Sequence, residues 1–201
     1  MAETIGISWL KFLNGLPAWN DDYLSSNADV RPLETKIQKR AYEFGCLNRD
    51  SILDIVAWGG NPHGLMGRIQ RSNTEDQVRQ ITADTMKVLG NPEAALGTIK
   101  RIRGLGDSFG SKVLAMLSPQ THAVWDRIVK NTLGSTQNPP ISYGDFIELL
   151  QQSARQIPFP NLHRPDSSWW VRDVEAGLFQ FAWPKHRGGN GGLIVGLLPS
   201  R

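Results

Sequence analysis

Cysteine is almost absent from this sequence: of 201 residues, only Cys46 carries a thiol. A single cysteine forms no intramolecular disulfide and cannot supply the four thiolates of an iron–sulfur cluster or a structural zinc site. Histidine is scarce as well. His63, His122, His163 and His186 stand far apart with no H-E-x-x-H spacing, which argues against a zinc centre, and no metal or other cofactor is expected. No run of about 20 apolar residues is present to span a bilayer. The opening "MAETIGISWLKF" lacks a basic segment followed by an apolar one, so the expectation is a cytoplasmic protein with no membrane partner. Also missing are a Walker loop, a G-x-S-x-G elbow and a cysteine–histidine pair, and with them the usual signatures of phosphate-loop and acyl-transfer enzymes.

What is present is helical patterning and clustered positive charge. The net charge of +3 and the pI near 9.2 are mild. The basic residues nonetheless gather in "RIQR" at 68–71, "KRIR" at 100–103 and "KHR" at 185–187, which suits either a polyanionic partner or plain solvated helix faces. No segment sustains a period-two alternation, and apolar stripes of helical spacing dominate. Ser72-Asn73-Thr74-Glu75 reads as a capping box before a stripe of Val78, Ile81, Thr85, Val88 and Leu89, closed by Gly90. Asn91-Pro92 starts the next helix, which carries Ala95, Leu96, Ile99 and Ile102 up to Gly104. Ser142 caps another that Pro158 ends, and further helices are expected over roughly 5–14, 33–46, 49–58 and 63–71. "SSWWVRDVEAGLFQFAW" at 167–183 reads as an aromatic-rich helix. The expected architecture is all-α, and length favours one domain or one compact body of two lobes over 1–185. The glycine-rich tail 186–201 is either a loose end or a last strand-like segment.

Gly104-Leu105-Gly106 sits between two of these helices, where glycine permits positive φ and close approach of another backbone. Such a turn aims N–H groups and a helix N-terminus outward, which suits a phosphate. From it, "GLGDSFGSKVLAMLSPQTHAVWD" runs to Asp126 and resembles the helix-hairpin-helix DNA glycosylase superfamily. That pattern is a G-x-G hairpin, a helix, a short loop and an aspartate opening the next helix. The endonuclease III branch reads G-V-G-R-K and A-V-D at the corresponding places, and Trp125 is inserted here before the aspartate. The likeness covers about 100–134, and "WWVRDVEAGLF" at 169–179 is similar to the closing helix of small 8-oxoguanine-type members. No resemblance extends to the first 60 residues.

The resemblance implies a two-lobed helix-hairpin-helix fold without an iron–sulfur cluster, with DNA crossing between the lobes. It implies that Arg101, Arg103, Gly104, Gly106, Ser108, Gly110 and Ser111 hold the DNA backbone, where hairpin carbonyls can also seat a monovalent cation. Asp126 would stabilise the positive sugar as the base departs and activate water; the competing reading makes it only the N-cap of "RIVKNTLG". Bifunctional members carry a lysine where this chain has Ser108, 18 residues before Asp126. Serine there belongs to the adenine-excising branch, so a monofunctional enzyme is expected. Lys112 lies one helical turn on from Ser108, where its amine can reach back toward the same spot, either as a phosphate-contacting or solvent lysine or as a lyase nucleophile.

A glycosylase must also hold an extruded base. Trp169, Trp170 and Arg164 are expected at the pocket edge, with His122 and Trp125 beside the aspartate. Arg172, Asp173 and Glu175 read as an internal charge network. The expected protein is therefore a monomeric DNA N-glycosylase acting on double-stranded DNA with a modified base, in repair or in defence against phage with hypermodified DNA. The rival is a helix-hairpin-helix module that binds DNA without cutting it.

Overall fold

The computed structural model describes residues 6–7, 9–133, 141–186 and 193–194. Among them are ten α-helices: α1 Trp9–Ser26, α2 Val30–Phe44, α3 Arg49–Trp58, α4 Leu65–Ser72, α5 Glu75–Lys87, α6 Pro92–Ile99, α7 Asp107–Leu117, α8 Arg127–Thr132, α9 Tyr143–Gln156 and α10 Val171–His186. The only strands in the described residues are β1 Gly6–Ile7 and β2 Leu193–Ile194, paired in parallel. The protein is all-α. No described helix is long and apolar enough to cross a membrane. Of the tail expected at 186–201, all but His186 and β2 lies outside the described residues, as does Arg187 of the third basic cluster.

The helix ends follow local chemistry. Asn48, Thr74, Asn91 and Ser142 each accept a backbone N–H from the first turn that follows, satisfying donors the helix itself cannot. The capping box before α5 is shifted from its expected place: Thr74 Oγ1 pairs with Gln77 N–H, and Gln77 Oε1 accepts from Thr74 N–H. Ser72 instead closes α4. The helix expected over 5–14 runs on to Ser26 with Pro17 inside it. Proline forfeits one helical hydrogen bond, and burial on α10 offsets the loss: Phe12 and Leu16 are fully buried. A Cβ on Gly177 of α10 would lie 2.4 Å from Leu16 Cδ1, so the glycine is what admits the close approach.

The chain forms two units. One joins residues 1–27 to 126–201, and the other is the central stretch 28–125. In the first, α10 packs on α1, α8 and α9, and Phe181 meets Phe12 and Trp19 with ring centroids 5.7 and 5.5 Å apart. In the second, α7 is the buried centre, packed by α2, α3 and α6 around Ile37, Ile55, Ile99 and Leu114.

Candidate nucleic-acid interface and catalytic carboxylate

In the central unit the glycine turn has an asymmetric construction. Gly104 adopts φ +106°, and a Cβ there would press on Ile69 and Leu65 at 3.2 and 3.3 Å; both conformation and space demand glycine. Gly106 has φ −97°, which any residue can adopt, and a Cβ on it would meet nothing within 4 Å. It caps α7 without a side chain. The first-turn N–H groups of α7 therefore get no capping oxygen from the residue that usually supplies it. Lys100 Nζ and Asp107 Oδ1 close the base of the hairpin at 2.7 Å.

Asn73 holds the incoming limb, a role that no sequence pattern marks. Its Oδ1 accepts Arg103 N–H at 2.8 Å, and its Nδ2 donates to the carbonyls of Arg103 and Ile69, both at 2.9 Å. One buried amide thus fixes both polar groups of the Arg103 backbone, as a strand partner would. Arg101 and Arg103 are exposed beside it.

Ser108 stands half-exposed in the first turn of α7, and Lys112 Nζ donates to its Oγ at 3.3 Å. The lysine reaches back along the helix as its spacing predicts, with its amine 5.3 Å from the centroid of the Phe109 ring. Phe109 is itself half-buried.

Two residues expected on DNA are enclosed instead. A Cβ on Gly110 would meet Ile99 and Leu96 at 3.2 Å, so this glycine serves the packing of α7 on α6. Ser111 is fully buried; its hydroxyl donates to the Ser108 carbonyl and accepts Trp125 N–H at 2.8 Å. Ser111 thereby anchors the backbone one residue before Asp126.

His122 and Trp125, expected beside a base, are both buried in the core of the central unit. His122 Nε2 donates to the Leu89 carbonyl at 3.1 Å. Burial lowers its pKa to about 4, against a smaller raising effect of that bond. The unfolded imidazole, titrating near 6.5, takes up a proton before the folded one does, so acid favours unfolding. Stability is expected to fall by about 2–3 kcal/mol from this group as pH drops from about 6.5 to 4. His122→Gln, which keeps a donor but does not titrate, should flatten that part of the urea-denaturation profile against pH.

In the terminal unit Asp126 is the N-cap of α8: its Oδ1 accepts Ile128 and Val129 N–H at 2.9 and 3.1 Å. The side chain is thus immobilised at a helix start, and the residue is half-exposed. The charge network expected near the start of α10 is present and buried. Asp173 takes both arms of Arg164 at 2.8 Å and Asn161 Nδ2 at 2.9 Å, while Arg172 binds Glu175 and Tyr23. Arg164 is therefore a structural cation and not a base contact. Its guanidinium lies 3.7 Å from the centroid of the Trp170 ring, covering a face that was expected to meet a base. Both tryptophans precede α10 and do not lie on it.

Trp169 differs. Its Nε1 donates to the Phe159 carbonyl at 2.7 Å, and its ring helps line an open cleft of about 410 Å³ with Pro17 and Asp21 of α1 and with Phe159, Leu162 and His163. His163 Nε2 and Asp21 Oδ1 are 2.6 Å apart at this cleft. Sequence spacing gave no sign of Asp21 or Phe159, because residues about 140 positions apart meet there. The chain matches no family model, no curated protein and no solved structure in the three comparisons made.

Proposed function

We propose that this protein is a DNA N-glycosylase that binds double-stranded DNA through the α6–α7 hairpin and cleaves the bond between deoxyribose and a modified base. The observation that carries this reading is the side-chain-free cap of α7 behind a turn where only glycine fits, flanked by two exposed arginines. Backbone N–H groups with an aligned helix dipole hold a phosphate without reading sequence, and arginines add charge to the same strand. The division into a central unit carrying the hairpin and a unit drawn from both ends of the chain is compatible with a two-lobed helix-hairpin-helix fold.

Asp126 supplies the chemistry. As the C1′–N bond breaks, its electron pair leaves with the base and positive charge spreads over C1′ and the ring oxygen. A carboxylate fixed by two backbone bonds stabilises that charge without having to reorganise. Water then adds its oxygen to C1′ and passes a proton to the Asp126 carboxylate, which returns it to the departed base anion, leaving an abasic site. The Trp169 cleft has the size and lining for a planar base, with stacking on the indole and polar contacts at Asp21 and His163.

The test is a panel of duplexes carrying oxidised or alkylated purines, alongside hypermodified phage DNA, scored for abasic sites. Failure to release any base leaves a module that only binds DNA, a reading favoured by the capping role of Asp126. A second activity is suggested by the contact of Lys112 Nζ with Ser108 Oγ. If that amine attacks C1′, borohydride will trap a covalent complex that Lys112→Ala abolishes; no trapped complex in the wild type means water is the nucleophile.

A further inference from the structure

We infer that the cleft between α5 and the limb entering the hairpin is a second oxyanion site, built from side chains, which takes a phosphodiester of the strand that the α7 N-terminus grips. The inference rests on the nucleic-acid reading and adds residues to it. The cleft has a volume of about 300 Å³ and is lined by Asn73, Gln77, Gln80, Ile81, Arg101 and Arg103. The backbone of Arg103 is fixed by the Asn73 amide, so its side chain leaves from a set point on the cleft wall. Among the described residues that guanidinium has no hydrogen-bond or ion-pair partner, although the side chain is exposed.

Arg101 is partly occupied. Its Nη1 lies 3.5 Å from Asp84 Oδ2, and Asp84 Oδ1 also accepts from Gln80 Nε2 at 2.9 Å and from Lys87 Nζ at 3.3 Å. One carboxylate therefore serves three donors, two of which, Arg101 and Gln80, line the cleft. An arriving phosphodiester offers two non-bridging oxygens, enough to take Arg101 and Gln80 while Arg103 binds through its fork. Asp84 then acts as an internal competitor for the ligand. Arg103 directly precedes Gly104, so the side-chain and backbone sites lie on one limb of the hairpin and can serve one strand.

The experiment titrates the full chain with a duplex carrying an abasic-site analogue at several salt concentrations, by anisotropy. Arg103→Ala is expected to weaken binding and to reduce the slope of log affinity against log salt by about 1. Asp84→Asn is expected to tighten binding by about threefold or more, because a competing charge is lost. Unfolding midpoints of both variants serve as the control for folding. A slope unchanged in Arg103→Ala, or weaker binding in a folded Asp84→Asn, overturns the inference. In a second arm, inorganic phosphate is added alone while the Arg103 Nε–H resonance is followed. A shift with phosphate, together with duplex binding that ignores Arg103, assigns the cleft to the free ion and also overturns it. Base release by the wild type is scored separately: its absence with the slope change intact removes the glycosylase and leaves this site standing.

Discussion

Asp126→Asn is expected to lower single-turnover base release by at least about a hundredfold while duplex affinity and thermal midpoint stay close to wild type. The scale follows from removing one preorganised electrostatic contact to a charge that exists only in the transition state. Asparagine is the informative substitution because it caps a helix about as well as aspartate. Its Oδ1 can keep both bonds to Ile128 and Val129 N–H, so the cap of α8 is retained. Asp126→Ala confounds the two roles, since losing the cap costs about 1 kcal/mol. Base release within about threefold of wild type in Asp126→Asn would reduce this residue to a cap, and the chemistry would need another source.

The largest stability effect is expected at Asp173. Asp173→Ala should destabilise the terminal unit by about 3–5 kcal/mol, the range for removing one partner of a buried ion pair. Both side chains are nearly inaccessible, 4% exposed for Arg164 and 2% for Asp173, so water cannot replace the lost carboxylate. Asp173 also accepts from Asn161 Nδ2 and from Trp170 N–H, which makes it the tie between the 158–170 loop and α10. The same variant should therefore disorder the Trp169 cleft. Urea denaturation gives the energy, and the indole N–H resonance of Trp169, assigned by its loss in Trp169→Phe, reports the cleft. A loss below about 1 kcal/mol would mean that solvent reaches the pair.

The hairpin was legible in the sequence because each of its parts is local. Asn91-Pro92 starts α6, Gly104 supplies positive φ, and Lys112 falls one turn after Ser108. The candidate base contacts were not. His122 and Trp125 lie within four residues of Asp126, and proximity in sequence suggested proximity in a site. Both turn inward, where Ser111 accepts Trp125 N–H and the Leu89 carbonyl takes the His122 ring. Arg164 and the two tryptophans looked alike in composition, yet a buried carboxylate claimed the arginine, the arginine covered Trp170, and only Trp169 reached the cleft.

Most helix starts, the all-α class and the glycine turn follow from local pattern, since caps, apolar periodicity and positive φ depend on atoms a few residues apart. Tertiary structure alone decided three further things: that α1 continues through Pro17, that Asn73 clamps Arg103, and which cations and rings face outward. The reason is the same in each case. Burial and pairing energies come from neighbours distant in the chain, here Gly177 against Leu16 and Asp173 against Arg164, and no local pattern records who those neighbours will be.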